Sequence, residues 1–193
     1  HTAHLALLEG ERIEPGTTTR AHLVVAAPVF ALPGDRLILR NAQASRTVGG
    51  GQVIDPAAPA RKRRSPQRLA SLDALETLIA TGDAAPLIAS APYGLTSAQW
   101  HRLSGREQPP VADATSCIAL GSGEVDMLWL HTARWQRLGE QVLASISRFH
   151  ERQPDEPGLN AARLRRMALP DLPPDSHALL WRGLLDALLK DGR

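Results

Sequence analysis

Apolar and polar positions change rhythm once along this chain, close to residue 66. Before it, short β-branched runs alternate with Gly and Pro. "TRAHLVVAAPVFA" (19–31) mixes alternating and continuous apolar residues, and Pro28 marks an edge or a break. "LPGDRLILR" (32–40) sets a Pro33-Gly34 turn ahead of Leu37, Ile38 and Leu39. "TVGGGQVID" (47–55) is a further short strand bearing a glycine cluster. Short strands separated by such punctuation predict a barrel or a sandwich. Residues 57–67, "AAPARKRRSPQ", hold Pro59 and Pro66, four cations and small side chains, as a linker does.

Past Pro66 the period becomes helical. Ser65 is an N-cap with Pro66 in the first turn, and Leu69, Leu72, Leu75, Leu78 and Ile79 form one stripe. In "GLTSAQWHRLSG" (94–105), Thr96 and Gln99 form a capping box, Leu95 can staple onto Trp100, and Gly105 ends the helix. "SCIALGSGEVDMLWL" (116–130) places two apolar runs around Ser122-Gly123, a hairpin signal. Helices followed by a hairpin describe a winged helix. The order then restarts. Thr132 caps a helix carrying Trp135, Leu138, Val142, Ile146 and Phe149, which Pro154 and Pro157-Gly158 stop. Asn160 caps a second, with Leu159 against Leu164. Asp175 or Ser176 opens a third, carrying Leu180, Leu184 and Leu188 and ending at Gly192. The expected modules are a barrel domain over 1–57, a basic linker over 58–67, a winged helix over 68–131, and a second one, truncated before its wing, over 132–193.

Composition narrows the chemistry. The 193 residues include 22 Lys and Arg against 20 Asp and Glu, so distribution says more than net charge. Arg61, Lys62, Arg63 and Arg64 are consecutive, and "RLRR" recurs at 163–166. Such clusters suit a mobile strand lying along a phosphate backbone, or a solvated hinge. No apolar run is long enough for a membrane span, and no signal peptide is visible. The absence of an initial Met suggests a piece of something longer. Cys117 is the only cysteine, which excludes an internal disulfide or a Cys-x-x-Cys metal pair. His1 and His4 have helical spacing but no acidic or Cys partner near them. His101 has no nucleophile at a recognisable elbow, and Asp113 and Glu124 show no pairing logic. Catalysis and a metal are therefore not expected in this chain. Gly49, Gly50 and Gly51 invite comparison with a phosphate loop. That loop must lead into a helix, whereas "QVIDP" follows here, so the glycines read as structural, permitting a bulge or close backbone approach.

"PGDRLILRNAQASRTVGGGQVIDP" (33–56) resembles the end of the third domain of elongation factor Tu-class GTPases, where Arg-Thr-x-Gly-x-Gly closes a β-barrel. The triple glycine with Asp-Pro, the run 7–36, and "RFHERQPDEPGLNAARLR" (148–165) are similar to the bacterial selenocysteine-specific elongation factor family, SelB. The resemblance implies an elongation factor Tu domain 3-like β-barrel, complete or incomplete, followed by tandem winged helices, the second lacking its wing. It implies a cytoplasmic monomer that serves UGA recoding in translation. The barrel would help hold selenocysteyl-tRNA, and the winged helices would link it to a tip that grips an mRNA hairpin. Selenocysteyl-tRNA, the ribosome and the mRNA hairpin are the implied partners, with no membrane. GTP and Mg would belong to a G domain that the chain lacks, leaving no cofactor here.

The loop "NAQASR" (41–46) matches the family loop nearest the tRNA T-stem. Arg40, Asn41, Gln43, Ser45 and Arg46 are the candidate RNA-binding residues, with Arg61, Lys62, Arg63 and Arg64 beside them. Backbone binding needs cations and N–H donors rather than base readout. The alternative for Arg40 and Arg46 is ion pairing at the barrel rim. His101, Arg102, Arg106, Arg163, Arg165 and Arg166 could touch RNA or face solvent, and Trp100 reads as core. Rival readings are a winged-helix DNA-binding transcription regulator, an ordinary elongation factor, and a purely structural interaction module.

Overall fold

The structure, a computed structural model, describes residues 1–110, 115–123, 126–190 and 192, except the side chains of residues 175 and 177. Asp113, Glu124 and any capping by Asp175 lie outside the described residues. Contacts divide the chain into two compact units. The first comprises His1–Asp83 and His101–Glu107, the second Ala84–Trp100 and Gln108–Arg193.

In the first unit, β1 (Ala3–Leu7) pairs antiparallel with β2 (Ala21–Val25), Leu5 facing Leu23. His4 therefore sits in a strand, and its helical spacing from His1 has no structural counterpart. β3 (Arg36–Arg40) pairs antiparallel with β4 (Thr47–Gln52), Ile38 facing Gly50. Pro33 and Gly34 make the expected turn: the Asp35 N–H donates to the Leu32 carbonyl at 3.1 Å, and Gly34 takes φ +94°. A type II turn requires that positive φ at its third position.

The triple glycine lies inside the β3–β4 ladder, with a register shift beside it between Leu39 and Arg40. No helix springs from Gly51. A cylinder closed by this ribbon is not seen among the described residues, since β4 pairs with β3 alone and β1–β2 form a separate sheet. Four short strands are too few to close on themselves. The fold is barrel-like with open sheets, followed by winged-helix elements.

The three glycines are not equivalent. A Cβ on Gly50 would lie 3.0 Å from the Leu37 carbonyl, whereas one on Gly49 would meet nothing within 4 Å. Gly49→Ala should leave stability unchanged or raise it by about 0.5 kcal/mol, from reduced freedom of the unfolded chain. Gly50→Ala must displace a backbone carbonyl and should cost about 1 kcal/mol or more. Urea unfolding of the two variants side by side measures the difference.

α1 (Pro66–Thr81) begins as its sequence predicts. The Ser65 hydroxyl accepts from the Arg68 N–H at 3.2 Å, and Gly82 ends the helix in the left-handed conformation. Leu72, Leu75 and Leu78 are buried, while Leu69 and Ile79 are half-buried.

The second unit holds α2 (Ala85–Ser90), β5 (Leu95–Thr96), the first half of α3 (Ser97–Ser104), β6 (Cys117–Ser122), β7 (Asp126–His131), α4 (Thr132–Arg152), α5 (Ala161–Ala168) and α6 (Pro174–Lys190). α2 is absent from the sequence reading, since six residues with no side-chain cap are too few to show a period. The capping box forms in both directions. The Gln99 N–H donates to the Thr96 hydroxyl at 3.2 Å, and the Thr96 N–H to the Gln99 side-chain carbonyl at 3.0 Å. β6 and β7 make the expected hairpin and join β5 in a sheet of order β5-β7-β6. The cap of α4 is His131, whose Nδ1 accepts from the Ala133 N–H at 3.2 Å, not Thr132. The Thr132 hydroxyl donates instead to the Thr115 carbonyl at 3.3 Å. Asn160 caps α5 through the Arg163 N–H at 2.8 Å, as expected. α6 opens at Pro174, ahead of the expected Asp175 or Ser176.

Leu128 and Leu130 on β7 pack in one core with Leu138 and Val142 on α4, Leu164 on α5, and Leu180 and Leu184 on α6. The second helical set thus shares the hairpin of the first. The amphipathic helices α4, α5 and α6 need a further apolar wall, and β7 supplies it through Leu128 and Leu130.

Candidate functional site

β3 ends at Arg40, and the loop that follows is built around one side chain. The Asn41 Oδ1 accepts from the Ser45 N–H at 2.9 Å and the Arg46 N–H at 3.0 Å, and its Nδ2 donates to the Ser45 hydroxyl at 2.9 Å. The Asn41 N–H donates to the Arg46 carbonyl at 3.0 Å, closing the base, and Ala44 takes φ +54° at the tip. A short amide side chain that replaces backbone partners in this way makes a rigid turn. Asn41 and Ser45 are thus engaged inside the loop. Arg40, Gln43 and Arg46 are exposed. Among the described residues neither Arg40 nor Arg46 forms an ion pair, so the rim-pairing alternative has no partner there.

The basic run is ordered in the same unit. The Arg64 Nη2 donates to the Leu7 carbonyl at 2.7 Å, Lys62 takes φ +55°, and the Ser65 N–H donates to the Lys62 carbonyl at 3.1 Å. Between them a cleft of about 380 Å3 is lined by Ala6, Leu7 and Leu8 on one side and by 62–65 on the other. Arg61, Lys62 and Arg64 are exposed and Arg63 is half-buried.

Two ion-pair clusters fix α1 against the strands, and the sequence reading misses both. Arg20 donates through Nε and Nη2 to the two carboxylate oxygens of Glu76, at 2.9 and 2.6 Å, and through Nη2 to Asp73 as well. The hydrogen bond to Glu76 raises the Arg20 guanidinium above its ordinary range, against the opposing pull of burial. Arg68 pairs with Asp55 at 2.8 Å, with side chains only 14% and 5% exposed. The other Asp55 oxygen accepts from the Ala57 N–H at 2.9 Å. Burial first, then the charges of Arg63 and Arg68, hold His22 below its ordinary pKa. The one hint in the sequence is the i, i+3 pair Asp73 and Glu76 on the polar face of α1. Their partner lies more than fifty residues away, at |i−j| of 53 and 56.

The remaining cations are scattered. Arg163 packs over the Phe149 ring at 5.3 Å and lies 3.8 Å from Glu156. His101, Arg102 and Arg166 are exposed, and Arg165 is half-buried. Trp100 is 2% exposed, and its indole N–H donates to the Gln108 carbonyl at 2.7 Å, which makes it core. Burial pushes the Cys117 thiol up, away from a reactive thiolate. Among the described residues no three of His, Cys, Asp and Glu gather as a metal site, and no helix is long and apolar enough to cross a membrane.

Comparison with known proteins bears on these residues. A family model described as the selenocysteine-specific elongation factor β-barrel domain matches residues 1–60. A second, described as the elongation factor SelB winged helix, matches residues 143–193. The chain is 31% identical over 172 residues to the selenocysteine-specific elongation factor of Escherichia coli (strain K12), covering 88% of this chain and 27% of that protein. It is 28% identical over 194 residues to the factor of Haemophilus influenzae, covering 100% of this chain and 30% of that one. The factor of Desulfomicrobium baculatum is 27% identical over 202 residues, covering 99% and 30%. The chain therefore spans less than a third of the length of these relatives.

Proposed function

This chain belongs to the selenocysteine-specific elongation factor family, and from that premise we propose that its strand-rich part helps hold selenocysteyl-tRNA for UGA recoding. Residues 1–57 act as the barrel domain, 58–67 as the basic segment, and 68–131 and 132–193 as winged-helix modules. The modules link the tRNA-holding part to a tip that grips an mRNA hairpin on the ribosome. GTP hydrolysis, with its Mg, belongs to a part of such a factor outside these residues, and this chain acts by binding, as a monomer in the cytoplasm.

The observation that carries this reading is the Asn41-braced loop inside the matched barrel region. It presents Arg46, Arg40 and Gln43 with no ion pair to either cation among the described residues. A rigid loop with free guanidinium groups suits phosphate and 2′-OH contacts, which position an RNA without reading its sequence. Asn41 and Ser45 contribute by shaping the loop and offer few free donors to the RNA.

Arg46→Ala should weaken tRNA binding and lower the slope of log affinity against log salt by about 0.7–0.9, one phosphate contact. Filter binding across a salt series reads it. An unchanged slope would remove Arg46 from the interface. Tighter binding of duplex DNA than of tRNA at matched salt would favour the transcription-regulator reading instead.

A further inference from the structure

We propose that the cleft between the end of β1 and the turn at 62–65 is a preformed seat for one RNA phosphodiester group, held by Lys62 and Arg63. Arg64 is a positioning residue that fixes the turn. The inference rests on the RNA-binding reading above and sharpens it: the basic run is a shaped site, not a loose tether.

Three observations carry it. The cleft, about 380 Å3, is lined by Ala6, Leu7 and Leu8 on one wall and by Lys62, Arg63, Arg64 and Ser65 on the other, with no acidic side chain among these described residues. Its shape is set from within. The Arg64 guanidinium is engaged by the Leu7 carbonyl at 2.7 Å, and the Ser65 N–H closes on the Lys62 carbonyl while Lys62 stands in the left-handed region. A non-glycine residue held there is over-determined by its surroundings. The local charge is also uncompensated. Among the described residues no ion pair engages Lys62 or Arg63, Asp55 is taken by Arg68 at 2.8 Å, and the first turn of α1 bears no acid to offset its N-terminal dipole. Burial first, then the charges of Arg63 and Arg68, disfavour protonation of His22, against a weaker opposite pull from Asp55. An anion with several oxygens can accept from more than one of these neighbouring cations at once.

His22 is the natural reporter, because an anion seated beside Arg63 must raise its titration midpoint. The ring is titrated by NMR in the full chain, alone, with inorganic phosphate, and with a short RNA duplex at equal phosphate concentration. The expected result is an upward move with RNA and a smaller one with free phosphate. Arg63→Gln should abolish both moves and lower the RNA salt slope by about 0.7–0.9. Arg64→Ala should shrink the RNA-induced move and Arg64→Lys largely restore it, with unchanged circular dichroism in each variant. If RNA binds while the His22 midpoint and the Arg63→Gln slope stay fixed, the cleft is not the seat, although the RNA reading stands. If neither ligand binds, both proposals fall. If free phosphate moves His22 as far as RNA does, the cleft is a site for the free ion and its assignment to RNA fails.

Discussion

Arg68→Ala lowers the stability of the first unit by about 3–5 kcal/mol, the loss expected when one partner of a buried ion pair is removed. The effect arises on the carboxylate side. Asp55 keeps one backbone donor, the Ala57 N–H, but its side chain is 5% exposed and loses its counter-charge at 2.8 Å. Replacing both partners together, as Asp55→Leu with Arg68→Met, should cost much less, because no isolated charge stays behind. Urea unfolding of the two variants measures the contrast. A single-variant loss under about 1 kcal/mol would place the pair among solvent-exposed bridges, which contribute little.

Trp100→Ala costs a similar amount, about 3–5 kcal/mol, through the cavity left by a large aromatic side chain. The ring is 2% exposed, and its N–H satisfies the Gln108 carbonyl at 2.7 Å. Trp100→Phe should recover most of the packing and lose about 1–2 kcal/mol, because that carbonyl loses its donor. Thermal unfolding reads both. RNA affinity per folded molecule should not change in Trp100→Phe, since a residue this buried cannot stack on a base. A large drop in affinity at unchanged stability would make Trp100 a contact residue.

What could be read from sequence follows the range of the interaction that fixes each feature. The Ser65 and Asn160 caps, the Thr96/Gln99 box, the Pro33-Gly34 turn and the hairpin around Ser122-Gly123 are set within a few residues, and they stand as expected. The stripes of α1 and α4 followed from period alone. The cap of α4 sits one residue earlier than Thr132, at His131, whose ring nitrogen takes the Ala133 N–H. α2 escaped notice because six residues carry no period. The ion clusters escaped for a different reason. Arg20, Asp55, Arg68, Asp73 and Glu76 look like ordinary surface charges until the chain returns on itself. Within the candidate loop, residue types were legible but their division of labour was not. Asn41 and Ser45 pattern as donors, yet their hydrogen bonds close on the loop itself.

The two ionic clusters also bear on how such a protein can be dissected. Arg20 and Asp55 lie before the basic run, and Arg68, Asp73 and Glu76 lie after it. The covalent joint and the energetic joint therefore do not coincide. A cut within 57–65, where the sequence looks most severable, would separate each charge from its counter-ion and leave Asp55 stranded on one polypeptide. A cut after Gly82 keeps all five on a single piece, so α1 travels with the strands that precede it rather than with the helices that follow.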